Sequence, residues 1–131
     1  MVLKLYIDTS ALVRMAVGDR EGIALKSKML KAKKKGTEVV SSKLLQLEGN
    51  RSFINLSLEG KSYPEITNLL NEVDFIPITD KILQIAATIP SHIRSLDAIH
   101  LATCSEIPDV ELMTCDQKMS SVARKMGIKL A

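Results

Sequence analysis

The sequence has few aromatic residues, with two Tyr, two Phe and no Trp among 131 residues. We therefore expect an aliphatic core. Only two cysteines occur, Cys104 and Cys115, without a CxxC pair. That usage favours reduced thiols in a cytoplasmic protein over a disulfide framework. No apolar run is long enough to cross a bilayer, and no signal-peptide pattern opens the chain. These absences argue against a membrane span and against export.

Several catalytic motifs are also missing. Because His92 and His100 are the only histidines, a His-rich metal site is excluded. The chain has no GxSxG, HExxH, P-loop or GxGxxG pattern, so nothing points to those hydrolases or nucleotide-binding proteins. What is present is a globular composition, 46% hydrophobic and 25% charged. The net charge of +3 leaves a polyanionic substrate open without demanding one.

Strand-like and helical segments alternate along the chain. This order predicts a parallel sheet covered on both faces. We expect one three-layer α/β/α domain over residues 1–131. Gly36 and Ser41 or Ser42 are expected to cap helices, Pro64 to lie in a first helical turn, and Pro77 to mark an edge strand. The predicted strands are VLKLYID, TEVVSS, DFIPIT, VELMTC and IKL.

Four acids are expected to converge at one edge of this sheet. Asp8 and Asp116 follow the first and fourth predicted strands, and ligands bind outside the carboxyl ends of parallel strands. Glu48 lies in the second turn of a helix that starts from the same edge. Asp97 begins a helix, RSLDAIHLATC, that is apolar nearly all round and is therefore predicted to be buried. A buried carboxylate needs a partner or a metal.

Each acid also has a simpler explanation. Asp8 and Asp116 would serve as ordinary helix caps. Asp97 follows a possible Ser95 cap and would complement the helix dipole. Glu48 would pair with Arg51 on an exposed helix face. These alternatives do not explain why the helix around Asp97 is so apolar.

A carboxylate cluster requires protons or cations, because two unit charges ~4 Å apart interact by about 4 kcal/mol at an effective dielectric of 20. Oxygen ligation favours Mg²⁺ or Mn²⁺ over zinc. Such an ion can hold a phosphate and generate hydroxide from water. With no Cys or His nucleophile in view, hydrolysis of a phosphodiester suits these residues best.

Four blocks of the chain resemble the PIN-domain family, and within it the small VapC-like ribonuclease toxins. YIDTSALV is similar to the family's opening strand and SSKLLQLEGNR to its second block. RSLDAIHLATC is very similar to the third block and LMTCDQKMSSVARKMGIKL to the closing one. The resemblance spans nearly the whole chain. The acids of the four blocks are Asp8, Glu48, Asp97 and Asp116.

This resemblance implies a metal-dependent endoribonuclease whose four acids bind one or two Mg²⁺ or Mn²⁺ ions. It also implies an RNA substrate, frequent homodimers and inhibition by a cognate antitoxin. We expect the antitoxin's tail to lay apolar residues along the helices in residues 9–30 and 42–58, and an arginine to enter the acidic crevice. One departure is Gly49, which costs about 1 kcal/mol in a helix relative to Ala and is expected to loosen Glu48.

Other residues carry weaker predictions. Ser10 and Thr114 are expected to orient a ligand or water; otherwise Ser10 caps a helix and Thr114 is a strand residue. His100 is interpreted as a buried, hydrogen-bonded structural residue, although Asp-x-x-His spacing would also permit a ligand. Arg14 and Arg51 are the better candidates for substrate contact. The lysines at 26–35 are interpreted as a solvated helix face in preference to an RNA-binding one.

Two other functions compete with the nuclease. One is a non-catalytic RNA-binding or assembly module on the same fold, against which the complete set of four acids argues. The other is an aspartyl-phosphate enzyme with Asp8 as nucleophile. Haloacid-dehalogenase-like phosphatases have a second acid two residues later, where this chain has Ser10.

Overall fold

A computed structural model describes residues 3–60 and 65–131. Strands and helices alternate in these residues, as predicted. Tyr63 and Pro64, expected at the start of the fourth helix, lie outside the described residues. The elements are β1 (Lys4–Ile7), α1 (Thr9–Val17), α2 (Arg20–Lys34), β2 (Glu38–Ser42), α3 (Lys43–Leu58), α4 (Glu65–Leu70), β3 (Asp74–Ile76), α5 (Asp80–Ala86), α6 (Ser95–Ser105), β4 (Val110–Met113), α7 (Gln117–Lys125) and β5 (Lys129–Leu130).

The strands form one parallel sheet in the order β3-β2-β1-β4-β5. In its register Leu5 lies opposite Val39 on one side and Glu111 on the other. The chain builds one half of the sheet outward from β1, then crosses to build the other half from β4. A crevice opens where the strand order reverses in this way. The carboxyl ends of β1 and β4 therefore border the place where a ligand is expected.

Alternate side chains of the strands enter two separate cores. Leu5, Ile7 and Val39 pack with α1, α2, α3 and α4. Tyr6 and Val40 pack with α6 and α7 on the opposite face. Because neighbouring strand residues point to opposite faces, both faces of the sheet are covered. The three-layer α/β/α prediction is confirmed.

Residues typical of caps and turns predicted most of these helix and strand ends correctly. Ser42 caps α3 by accepting a hydrogen bond from the Leu44 amide at 3.1 Å. Gly36, with φ of +93°, follows the end of α2, and Pro77 follows the edge strand β3. The alternative in which Ser95 caps α6 is wrong. The Arg94 carbonyl accepts from the Ala98 amide at 2.9 Å, so α6 begins one residue earlier than predicted.

The predicted burial of α6 on all sides is also wrong. Ala98, Leu101 and Cys104 are buried, but Leu96 is 49% exposed. The first turn of α6 reaches the surface at the carboxyl edge of the sheet, and this turn holds Asp97. Within residues 3–60 and 65–131, no helix combines the length and apolar character that a membrane span requires.

Candidate active site

An open cavity of about 600 Å³ lies at the carboxyl edge of the sheet. Each of the four predicted acids lines it, so the convergence inferred from the sequence is observed. Asp8 and Asp116 follow the ends of β1 and β4, Glu48 lies in the second turn of α3 and Asp97 in the first turn of α6. The lining residues are Asp8, Thr9, Ser10, Val13, Arg14, Val17, Glu48, Arg94, Asp97, Cys115 and Asp116.

Asp8 is the most buried of the four acids, with 2% of the residue exposed. It caps α1: its Oδ1 accepts from the Ala11 amide at 3.0 Å and from the Ser10 hydroxyl at 2.8 Å. Its Oδ2 accepts from the Thr114 hydroxyl. Burial raises the pKa of Asp8 above its ordinary value, and the hydrogen bonds from Thr114, Ala11 and Ser10 offset only part of that effect.

The hydroxyls of Ser10 and Thr114 link the segments that follow β1 and β4 by hydrogen bonds around Asp8. The Ser10 oxygen accepts from the Cys115 amide at 2.9 Å, and the Thr114 oxygen accepts from the Asp116 amide at 3.1 Å. The two hydroxyls lie 3.2 Å apart. The alternative in which Ser10 caps α1 is wrong, because Asp8 does so. Both hydroxyls touch the first acid, as expected of groups that orient it.

Glu48 is held by residues from two other elements. Its Oε1 accepts from the Thr9 hydroxyl and from His100 Nε2, each at 2.7 Å. The alternative pairing with Arg51 is therefore not the one observed. Burial acts to raise the pKa of Glu48, but the hydrogen bonds from His100 and Thr9 outweigh it and lower the pKa. His100 is 1% exposed and hydrogen-bonded, as predicted.

Asp97 is not the fully buried acid that the sequence predicted. Its side chain is 20% exposed, and Oδ2 lies 3.3 Å from Nε of Arg94. The Arg94 side chain is 85% exposed and lies at the rim of the cavity. Asp97 thus obtains its counter-charge from the residue that precedes α6.

Asp116 is both a helix cap and a residue of the cavity, two roles that the sequence analysis treated as alternatives. Its Oδ1 caps α7 by accepting from the amides of Lys118 and Met119 at 2.8 and 3.2 Å. The same side chain lines the cavity. As at Asp8, capping fixes the position of an acid that also faces the crevice.

The predicted basic contacts are only partly at the cavity. Arg14 lines it while pairing with Asp19 at 2.8 Å and Glu21 at 3.9 Å. Arg51 is exposed on α3 and is not a lining residue.

Sequence reasoning missed three residues of the site. Arg94 stands three positions before Asp97, a helical ion-pair spacing that offered a signal. Thr9 directly follows Asp8 and offered another. Tyr6, which hydrogen-bonds His100 from inside the sheet, gave none.

The four carboxylates do not stand as an assembled metal site. Within the part of the chain that the structure describes, no three His, Cys, Asp or Glu side chains are grouped so that they could hold an ion. Each carboxylate is instead turned toward a protein donor. The chemistry of the donor set still suits a hard divalent cation, because all four acids offer oxygen ligands.

Known proteins resemble the chain over nearly its full length. The PIN domain family model matches residues 5–125. Ribonuclease VapC47 of Mycobacterium tuberculosis (strain CDC 1551 / Oshkosh) is 30% identical over 130 residues, covering 97% of this chain and 95% of that protein. Ribonuclease VapC46 of Mycobacterium tuberculosis (strain ATCC 25618 / H37Rv) is 30% identical over 128 residues, covering 95% and 93%.

A solved structure shares the fold. One chain of a toxin–antitoxin complex from Klebsiella pneumoniae superposes with a TM-score of 0.55 at 18% identity, covering 87% of this chain and 88% of that one.

Proposed function

The chain belongs to the PIN-domain family and, within it, to the VapC-like group, and from this premise we propose that it is an endoribonuclease. It hydrolyses RNA phosphodiester bonds and acts as the toxin of a toxin–antitoxin pair. The observation that carries the proposal is the single cavity lined by Asp8, Glu48, Asp97 and Asp116. The relatives named ribonucleases cover almost the same length, which supports a shared activity.

We propose further that these four acids bind Mg²⁺ or Mn²⁺. Their oxygen donors suit either ion, and all four side chains line the same cavity. A bound ion would polarise the scissile phosphate and lower the pKa of a coordinated water. Arg94 contacts Oδ2 of Asp97, so Oδ1 of the same carboxylate would be available to the ion.

The other residues of the cavity have roles that follow from their contacts. Ser10 and Thr114 hold Asp8 through both of its oxygens. Arg14 and Arg94 are the cations that line the cavity, and each is paired with an acid at its exposed end. We propose that they bind phosphates on either side of the scissile bond, because an exposed guanidinium exchanges a carboxylate for a phosphate readily.

The proposed function is tested by incubating the protein with RNA and with small phosphomonoesters, with and without EDTA. We expect RNA cleavage that EDTA stops, and no release of phosphate from monoesters. Asp8→Asn and Asp97→Asn should reduce cleavage to background while the fold remains, since each removes a carboxylate without removing its volume. Asp74→Asn, an exposed acid of β3 away from the cavity, is the matched control.

Three outcomes would contradict this proposal in different ways. RNA binding without cleavage would favour the non-catalytic module. Hydrolysis of phosphomonoesters alone would favour an aspartyl-phosphate enzyme. Full activity in the Asp8→Asn, Asp97→Asn double variant would show that cleavage does not depend on these acids.

The proposed partner is an antitoxin whose apolar tail lies along α1, α2 and α3. Exposed apolar residues on these helices support it: Val17 lines the cavity, and Leu47 and Ile54 are 58% and 56% exposed on α3. An arginine of the tail would enter the acidic crevice. The partner purified from the same operon should inhibit RNA cleavage stoichiometrically. Tight binding that leaves cleavage unchanged would refute this placement and leave the nuclease assignment standing.

Dimerisation and a cytoplasmic location, which the resemblance and the cysteine usage suggested, stay predictions. The single domain over residues 1–131 is likewise proposed, supported by one continuous sheet whose last strand ends at Leu130.

A further inference from the structure

A buried chain of hydrogen bonds runs from the sheet to the cavity. The Ser42 amide lies 3.1 Å from the Tyr6 hydroxyl, which lies 2.7 Å from His100 Nδ1. His100 Nε2 lies 2.7 Å from Oε1 of Glu48. Tyr6 and His100 are 0% and 1% exposed. The chain of bonds therefore connects β2, β1 and α6 to an acid of α3.

The direction of each bond follows from what each group can donate. The Ser42 amide donates to the Tyr6 oxygen, and Tyr6 can then donate its own hydrogen to His100 Nδ1. Burial raises the pKa of Tyr6, so its hydroxyl keeps that hydrogen. An ionised carboxylate only accepts, so His100 Nε2 must donate to Glu48. With Nδ1 accepting from Tyr6 and Nε2 donating to Glu48, this network assigns the imidazole hydrogen to Nε2.

These bonds fix the orientation of the Glu48 carboxylate, with Oε1 directed at protein donors. His100 and Thr9 both donate to Oε1, from different helices, and the structure gives Oε2 no partner among the described residues. A Glu side chain is otherwise free to rotate about three bonds, which costs free energy to restrict at the moment of binding. The two 2.7 Å hydrogen bonds to Oε1 restrict the Glu48 side chain before a ligand binds.

We propose that His100 is a positioning residue for the active site, resting on the proposed nuclease function. Tyr6 sets the Nε2–H tautomer of His100, and His100 holds Oε1 of Glu48 so that Oε2 is the oxygen available to a ligand in the cavity. The Asp-x-x-His spacing of α6 therefore does not supply two ligands. It supplies one acid, Asp97, and the orientation of a second acid on α3.

The first test compares two substitutions that keep different atoms of the imidazole. The amide nitrogen in His100→Gln reaches the position of Nε2 and can still donate to Glu48, whereas the shorter side chain in His100→Asn reaches only the position of Nδ1. We expect His100→Gln to retain activity within a few-fold. His100→Asn should lower kcat by about 10- to 100-fold with little change in KM, the loss typical of groups that orient ligands.

Binding of Mn²⁺ gives a readout that is independent of RNA cleavage. Electron paramagnetic resonance of added Mn²⁺ should show weaker binding by His100→Asn than by His100→Gln, by about 10- to 100-fold. Cys104→Ala, a buried substitution on the same helix, is the matched control. It should lower stability without changing kcat or Mn²⁺ binding, which separates loss of packing from loss of positioning.

The second test reads the tautomer directly in the unmodified protein without metal. Long-range ¹H–¹⁵N spectra should assign the His100 hydrogen to Nε2, and Tyr6→Phe should reduce that preference. An Nδ1–H tautomer in the wild type would overturn the proposal even where a variant fails to fold. So would folded His100→Asn protein with wild-type kcat and Mn²⁺ binding, or His100→Gln as impaired as His100→Asn. A wild-type protein inactive on RNA would instead contradict the proposed function. The measured tautomer would still test the role assigned to His100.

Discussion

At the scale of single residues, the site is built from acids that already have protein partners. Asp8 and Asp116 cap helices, Glu48 is held by a histidine and a threonine, and Asp97 is paired with Arg94. Capping fixes a carboxylate at a strand end with bonds to backbone amides, which leaves the remaining lone pairs of its oxygens for a ligand. A structural role and a binding role therefore coincide at the same side chain.

Asp8 and Glu48 should make stability depend on pH in opposite directions. The pKa of Asp8 is raised by burial, so between its unfolded and folded pKa values the native state holds more protons than the unfolded state. Its contribution to the free energy of unfolding therefore falls as pH rises through that window. The pKa of Glu48 is lowered, chiefly because hydrogen bonds from His100 and Thr9 outweigh burial. Its contribution is present above the ordinary Glu pKa and is lost as pH falls through the lowered value.

Urea denaturation without metal, from about pH 3 to about pH 7, checks both signs. Asp8→Asn should gain stability relative to the wild type as pH rises, and Glu48→Gln should lose it. Asp74→Asn, at an exposed position of β3 away from the cavity, is the control for replacing a carboxylate with an amide. If the Asp8→Asn difference is flat or declines with pH, the buried carboxylate is not the cause.

At the scale of helices and strands, the hydrophobic periodicity predicted the order of the elements along the chain. It did not predict which helices pack against each other. Alternation of apolar strands with helical stripes predicted the parallel sheet. A glycine normally weakens a helix, so the sequence marks Gly22 and Gly49 as unfavourable residues. The structure shows instead that each of them lies where the chain packs closely against the position that a side chain would take. A Cβ at Gly22 would lie 2.0 Å from the Arg14 carbonyl oxygen, and one at Gly49 would lie 3.0 Å from a Leu12 methyl group.

The close packing at Gly49 corrects the expectation that it loosens Glu48. Absence of a side chain lets α3 approach α1 and α4, and the neighbouring acid is held by Thr9 on α1. Which helices would approach each other in this way is a tertiary fact. A single sequence shows the cost of the glycine and not the contact that requires it.

The convergence of the four acids was predictable for a simpler reason. Parallel strands share one carboxyl edge, so the acids that follow β1 and β4 had to meet there. The partners of those acids were not predictable. Tyr6 and His100 lie 94 positions apart, and only the packed sheet and helix bring them within hydrogen-bonding distance.

At the scale of the whole molecule, the four acids of the cavity and the lysines in the last turn of α2 lie at opposite ends of the sheet. Helix α2 begins near the carboxyl edge and its last turn leads into β2, which starts at the amino edge beside Lys4. The lysines of that turn are therefore distant from the cavity. Lys26 and Lys33 also pair with Glu65 and Glu72. The observed geometry agrees with a solvated face in preference to a surface that binds RNA at the crevice.

Substitution of the exposed lysines on and after α2 should therefore leave cleavage of a short single-stranded RNA unchanged. A variant in which Lys28, Lys31, Lys34 and Lys35 are replaced by Gln keeps the cavity intact and removes four positive charges. We expect its KM, and the slope of log KM against log salt, to match the wild type. Arg94→Gln removes one charge at the rim of the cavity and should raise KM several-fold and reduce the salt slope by about one phosphate contact. A shallower salt slope in the quadruple lysine variant than in the wild type would mean that RNA runs along α2, because counterion release counts the phosphates that the protein neutralises wherever they lie.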